Sequence, residues 1–228
     1  MSIYIDSAIT KEVEAVRSLG WVRGATTNPI LLAGAGFDVP GTLKGLARLH
    51  VGELFYQLVS PTLEEMFAEM RSAAEIVGSA LVLKVPPTQA GFQFVSRCRE
   101  FPCCVTAVYH PSQALIASEV KARYVAVYVS RATRLLGDGL KLVRDVAEIL
   151  KHSETEIIAA SVKSPEEACA ALSAGAHHLT LPYNVLMSLI YHPLTEQTLA
   201  EFRSNGLGLA SPQRESSSAS VQEKIKKG

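Results

Sequence analysis

Eight short apolar runs separated by longer amphipathic stretches constrain this chain more than any single residue does. The runs cover residues 2–6, 22–25, 54–59, 81–84, 103–108, 124–129, 156–160 and 178–181. Helical spacing marks residues 7–19, 62–76, 89–97, 112–119, 138–151 and 164–173 between them. Short buried strands alternating with helices are the signature of βα units around a parallel sheet. Eight such units predict a single closed (β/α)8 TIM barrel, although a doubly wound open sheet would give much the same pattern. The segment 164–173 opens with Ser164, Pro165 and Glu167, which read as an N-cap, a first-turn proline and a capping-box carboxylate.

With 228 residues the chain is long enough for one domain with a sizeable core. Lys plus Arg (22) balances Asp plus Glu (22), so no broad positive field is present and no nucleic-acid or membrane partner is expected. The first residues, MSIYIDSAIT, carry no basic segment before an apolar core, and no stretch reaches the roughly 20 apolar residues that span a bilayer. A cytoplasmic location is the expectation. Cys98, Cys103, Cys104 and Cys169 lack a paired CxxC spacing, and on a strand adjacent Cys103 and Cys104 would point to opposite faces. They read as reduced thiols with no metal, and the pair His177-His178 reads as structural. Gly206 and Gly208 break the last helix, and the Ser-rich, charged end cannot bury enough surface to order itself. The expected organisation is therefore a barrel domain over 1–205 and a disordered tail over 206–228.

Polar residues gather at the carboxyl ends of the runs, where βα loops build the active site of a barrel. Asp6 ends the first run, Thr26 and Asn28 follow the second, and Gln57 lies in the third. Lys84 ends the fourth, Thr106 lies in the fifth, Tyr128 and Arg131 end the sixth, and Ser161 with Lys163 ends the seventh. Each residue also has a structural reading. Asp6 can cap the first helix, Thr26 and Asn28 can hold a turn before Pro29, Thr106 can satisfy a carbonyl, and Tyr128 can be core. Lys84 can extend its ammonium past the strand end into solvent. Taken together, though, the clustering favours chemistry. Burying an amine favours its uncharged form, which attacks carbonyls, and Arg131, Lys163 and Ser161 on adjacent strand ends offer an anion site. The structural alternative for Arg131 and Lys163 is a solvated rim pair.

In their order and spacing, Ile5-Asp6-Ser7, Gly24-Ala25-Thr26-Thr27-Asn28-Pro29, Leu83-Lys84-Val85-Pro86, Thr106-Ala107-Val108-Tyr109, the stretch from Tyr124 to Arg131, Ala159-Ala160-Ser161 and His192-Pro193-Leu194-Thr195 resemble the transaldolase family. The likeness is to its short subfamily, which includes fructose-6-phosphate aldolase. It implies an enzyme that holds a keto sugar on Lys84 as a Schiff base, needs no cofactor or metal, and moves or releases a dihydroxyacetone unit. It assigns Asp6 to sugar hydroxyls, and Thr26, Asn28 and Ser161 to the dihydroxyacetone end of the pocket. Arg131 and Lys163 match the phosphate-binding positions. Family transaldolases carry glutamate and phenylalanine where this chain has Gln57 and Tyr128, the pair of the aldolase branch. That difference makes Tyr128 the proton donor and acceptor, with Gln57 and Thr106 positioning a water. The resemblance also implies a homo-oligomeric ring, pentameric or decameric.

Three other readings stand beside the aldolase. A transaldolase would transfer dihydroxyacetone from fructose 6-phosphate to erythrose 4-phosphate. A sugar-phosphate-binding module would keep the pocket without catalysis. A deoxyribose-phosphate type of aldolase would share the imine chemistry but leave the Thr26-Thr27-Asn28-Pro29 motif unexplained. Two departures from the family pattern are Pro87 after Lys84 and His110 after Tyr109, the latter read as a locally bonded loop residue.

Overall fold

Each of the eight runs forms a strand, and the strands close on themselves. In the computed structural model, which describes residues 1–36 and 38–205, the order around the barrel is the order of the sequence, every pair is parallel, and the eighth strand returns to the first. This is the closed (β/α)8 barrel, not the open sheet. β1 (Ser2–Asp6), β2 (Val22–Thr26), β3 (Glu53–Gln57) and β4 (Leu81–Val85) form the first half. β5 (Cys103–Val108), β6 (Tyr124–Tyr128), β7 (Glu156–Ala160) and β8 (His178–Leu181) form the second. The barrel lies within Met1–Leu189, a unit of its own. The tail 206–228 expected to be disordered falls outside the described residues.

The helices between the strands are α1 (Thr10–Arg17), α2 (Pro29–Ala35), α3 (Val39–Ala47), α4 (Leu63–Val77), α5 (Gln89–Arg97), α6 (Pro111–Glu119), α7 (Val129–Leu136), α8 (Gly139–Leu150) and α9 (Pro165–Ser173). After β8 comes α10 (Tyr183–Ser188). The second unit, Ile190–Gly228, contributes α11 (Pro193–Asn205) among the described residues. Local chemistry sets most of the helix starts. Thr62 and Glu65 form a reciprocal capping box on α4, Thr88 caps α5, and His110 caps α6 through its ring nitrogen. Ser164 caps α9 as expected, but Glu167 does not return a bond to it. The Glu167 carboxylate instead accepts the Lys163 N–H (2.7 Å) and the Ser130 hydroxyl (2.8 Å). The expected capping box is therefore half formed.

Alternation along the strands sorts side chains into two cores. Tyr4, Phe55, Val82, Cys104, Tyr124, Ala126 and Ile158 fill the barrel interior. Their neighbours Ile5, Leu54, Leu83, Cys103, Val125, Val127 and Ile157 face the helices. Cys103 and Cys104 thus lie on opposite faces. The interior floor is an aromatic stack of Tyr4, Phe55, Tyr124 and His178, with ring centroids 5.1–6.2 Å apart. Both tyrosine hydroxyls donate to Glu53, and burial together with that carboxylate raises both phenols above their ordinary range. His178 and His177 accept backbone N–H bonds from Ser2 and Ile157, and no group able to hold a metal exists among the described residues. This stack fills the interior toward the amino ends of the strands.

Candidate active site

The inward parity that builds the floor continues upward to a polar layer at the carboxyl ends. Counting in steps of two from Tyr4, Phe55, Val82, Cys104 and Ala126 reaches Asp6, Gln57, Lys84, Thr106 and Tyr128. Thr26 and Thr180 occupy the same layer from β2 and β8: the Thr26 hydroxyl lies 2.8 Å from Asp6 Oδ1 and 2.6 Å from Thr180 Oγ1. Asp6 therefore anchors to Thr26 and does not cap α1, whose N-cap Ile9 has no side-chain bond.

Lys84 is 4% exposed, so its side chain does not extend into solvent. Its Nζ donates to the Thr27 carbonyl at 2.9 Å, and among the described residues it forms no ion pair. Thr27 is itself fixed, because its N–H (3.1 Å) and hydroxyl (2.8 Å) both donate to the Phe55 carbonyl. A buried lysine nitrogen bonded to a carbonyl rather than to a carboxylate is a candidate nucleophile. Beneath it, burial pushes the Cys104 thiol up to about 12, against the opposing pull of Lys84. That thiol is an inert floor for the amine.

Above this layer a cavity of about 330 Å³ is lined by Asp6, Asn28, Gln57, Lys84, Tyr128, Arg131, Ser161 and Lys163, with Ala107, Ala160 and Pro182. Eight of the ten expected site residues thus share one cavity; Thr26 and Thr106 lie behind it, each fully buried. The Thr106 hydroxyl sits 3.4 Å from the Tyr128 hydroxyl. Arg131 and Lys163 are exposed at the rim, and the Arg131 guanidinium lies 5.0 Å from the Tyr128 ring centre. Asn28 serves two roles at once. Its Oδ1 accepts the Ile30 and Leu31 N–H groups as the N-cap of α2, which leaves its amide N–H₂ for the cavity. The Gln57 Oε1 is buried without a hydrogen-bond partner among the described residues. An unpaired buried amide oxygen is costly, and such groups in native proteins commonly await water or ligand.

Two cavity residues carry backbone strain. Ala107 (φ 58°) and Ser161 (φ 56°) are in the left-handed region, which costs a non-glycine residue on the order of 1 kcal/mol or more. At Ala107 the strain accompanies a register shift between Val105 and Val108 in the β5–β6 ladder. Strain of this kind collects where function needs a particular backbone path.

The model of the transaldolase/fructose-6-phosphate aldolase family matches residues 3–227. The chain belongs to that family. This transaldolase-family protein is an enzyme of the transaldolase type. It is 37% identical over 206 residues to a probable transaldolase of Hydrogenobaculum sp., covering 89% of this chain and 94% of the relative. It is 34% identical to one of Symbiobacterium thermophilum, covering 89% and 95%. Among solved structures a mandelate oxidase variant aligns with TM-score 0.59 at 15% identity, covering 83% of this chain and 67% of that one. A Pediococcus acidilactici lactate oxidase aligns with TM-score 0.57 at 17% identity, covering 82% and 64%. Those likenesses show the shared barrel fold alone. Two contacts of the site have no counterpart among the expected site residues: the Thr27 carbonyl that holds Lys84, although Thr27 belongs to the polar motif after β2, and the Thr180 hydroxyl. Thr180 was detectable as a polar residue at an inward position of β8, whereas a backbone acceptor leaves no side-chain signal.

Proposed function

We propose that the protein is a Schiff-base aldolase that cleaves or forms fructose 6-phosphate through a dihydroxyacetone unit bound to Lys84. In this reading the Lys84 amine adds to the C2 carbonyl, and loss of water leaves a protonated imine. The bond between C3 and C4 then breaks as a base removes the C4 hydroxyl proton, releasing glyceraldehyde 3-phosphate and leaving an enamine. Protonation of the enamine and attack of water on the imine carbon free dihydroxyacetone and regenerate the amine. Tyr128 is the proposed proton acceptor and donor, Asp6 holds the sugar hydroxyls, and Gln57 with Thr106 positions the water. Asn28, Thr26 and Ser161 order the dihydroxyacetone end, and Arg131 with Lys163 binds the phosphate.

The observation that carries this reading is the buried Lys84 amino group, bonded among the described residues only to a carbonyl, opening on a cavity shared with Tyr128 and Gln57. The Gln57–Tyr128 pair supports the aldolase outcome, because a phenol offers a proton route that lets water finish the reaction. The second reading is transfer of dihydroxyacetone to erythrose 4-phosphate, and the names of the curated relatives do not distinguish the two. Product analysis separates the two. Given fructose 6-phosphate and erythrose 4-phosphate together, the aldolase releases free dihydroxyacetone faster than it makes sedoheptulose 7-phosphate. The reverse order would establish the transferase. A ring-shaped homo-oligomer is part of the same proposal, carried by the family resemblance.

A further inference from the structure

The carboxylate of Glu167 takes no part in the chemistry proposed above, yet it joins the two loops that carry the cavity's cations. From the first turn of α9 it accepts the Lys163 N–H (2.7 Å) and, through both oxygens, the Ser130 hydroxyl (2.8 and 2.9 Å). Ser130 directly precedes Arg131 in α7, and its own N–H donates to the Ser161 carbonyl (3.1 Å). Arg131, Ser161 and Lys163 are thus tied to one another by Ser130 and a single carboxylate. A first-turn carboxylate ordinarily stabilises its own helix. Here the side chain is turned away from the cap, and the α9 cap is completed by Ser164. The left-handed Ser161 sits between these bonds, so the strained turn has a tether on each side.

We infer that Glu167, with Ser130, is a positioning residue that fixes the anion-binding side of the cavity and thereby the preference for phosphorylated sugars. The inference rests on the reading of Arg131 and Lys163 as the phosphate site. Oε2 alone accepts both the Lys163 N–H and the Ser130 hydroxyl, so removing the whole carboxylate, as in Glu167→Ala, releases the α7 contact and the Lys163 contact together, and the two cations are no longer held in register.

Titration calorimetry of the full chain with inorganic phosphate tests this without catalysis. Glu167→Ala, which leaves the Ser164 cap of α9 in place, is expected to weaken phosphate binding about tenfold, the scale of a lost charge-assisted hydrogen bond. Ser130→Ala, which leaves the Lys163 contact and the α9 cap in place, is expected to weaken it less, and the double variant no more than Glu167→Ala alone. In steady-state assays the KM for fructose 6-phosphate should rise by a similar factor, while that for unphosphorylated fructose and the kcat for both stay within about twofold. Unchanged phosphate affinity in both single variants would overturn the inference. So would equal KM increases for the two sugars, or an unaltered protein that binds no phosphate. Failure of borohydride to trap substrate on Lys84 in the unaltered protein would instead bring down the proposed reaction, and the phosphate titrations would still decide the role of Glu167.

Discussion

Lys84 lies one residue short of the end of β4, at the position where the inward alternation of that strand reaches the cavity. Its place is legible in the sequence as a cation closing an apolar run. Its orientation is not, because solvent and cavity are equally accessible to a strand-end lysine until the barrel closes. Lys84→Met keeps the length and apolar stem of the side chain, so the fold should persist while activity falls by about a thousandfold or more. Steady-state turnover with a circular dichroism control measures both. Tyr128→Phe removes only the hydroxyl 3.4 Å from Thr106. It should lower dihydroxyacetone release by about 10²- to 10⁴-fold and leave adduct formation on Lys84 intact. Full release would remove Tyr128 from the proton path. Asn28 shows why paired readings had to stay open in the sequence: the capping and the cavity-lining roles are both present, on different atoms of one amide.

At the scale of elements, the strands were legible and several helices were not. Alternation and β-branched runs located all eight strands, because each must be apolar toward the helices. The apolar run continues to residue 59, past the end of β3 at Gln57. In the structure the N–H groups of Val59 and Ser60 are taken by the Glu69 carboxylate of α4, which also accepts the Tyr56 hydroxyl. That long-range capture ends the ladder. The sixth strand was read one residue too far for a related reason, since Val129 already opens α7 with no side-chain cap to announce it. Helices α2 and α3 carry glycines and prolines that blur helical spacing, so the sequence pattern does not single them out. Gly24 marks a close approach of β2 to β3, since a Cβ there would collide with the Glu53 carbonyl. Gly24→Ala should therefore cost about 1–3 kcal/mol in urea denaturation, whereas Thr62→Ala, which only opens the α4 capping box, should cost about 1 kcal/mol.

For the molecule as a whole, a closed floor and a polar mouth divide stability from chemistry. The floor carries a pH signature. His178 is buried in the aromatic stack, and burial lowers its pKa from the ordinary 6.5; Glu156 opposes this, its Oε2 lying 3.2 Å from Nε2 but out of line for a hydrogen bond. The folded protein resists a proton that the unfolded chain accepts. The contribution is thus intact above about pH 6.5 and declines as the pH falls below it. His178→Gln should flatten the dependence of denaturation midpoints on pH in that acidic window, and an unchanged slope would show that other groups govern it. No helix among the described residues is long and apolar enough to cross a membrane. The intact mass of the protein after borohydride reduction with fructose 6-phosphate tests the covalent role of Lys84 in the mouth. The account predicts a stable increment of one reduced sugar-derived unit, mapped by peptide analysis to the segment containing Lys84 and absent in Lys84→Met; an unmodified mass, or an adduct on another lysine, would contradict it.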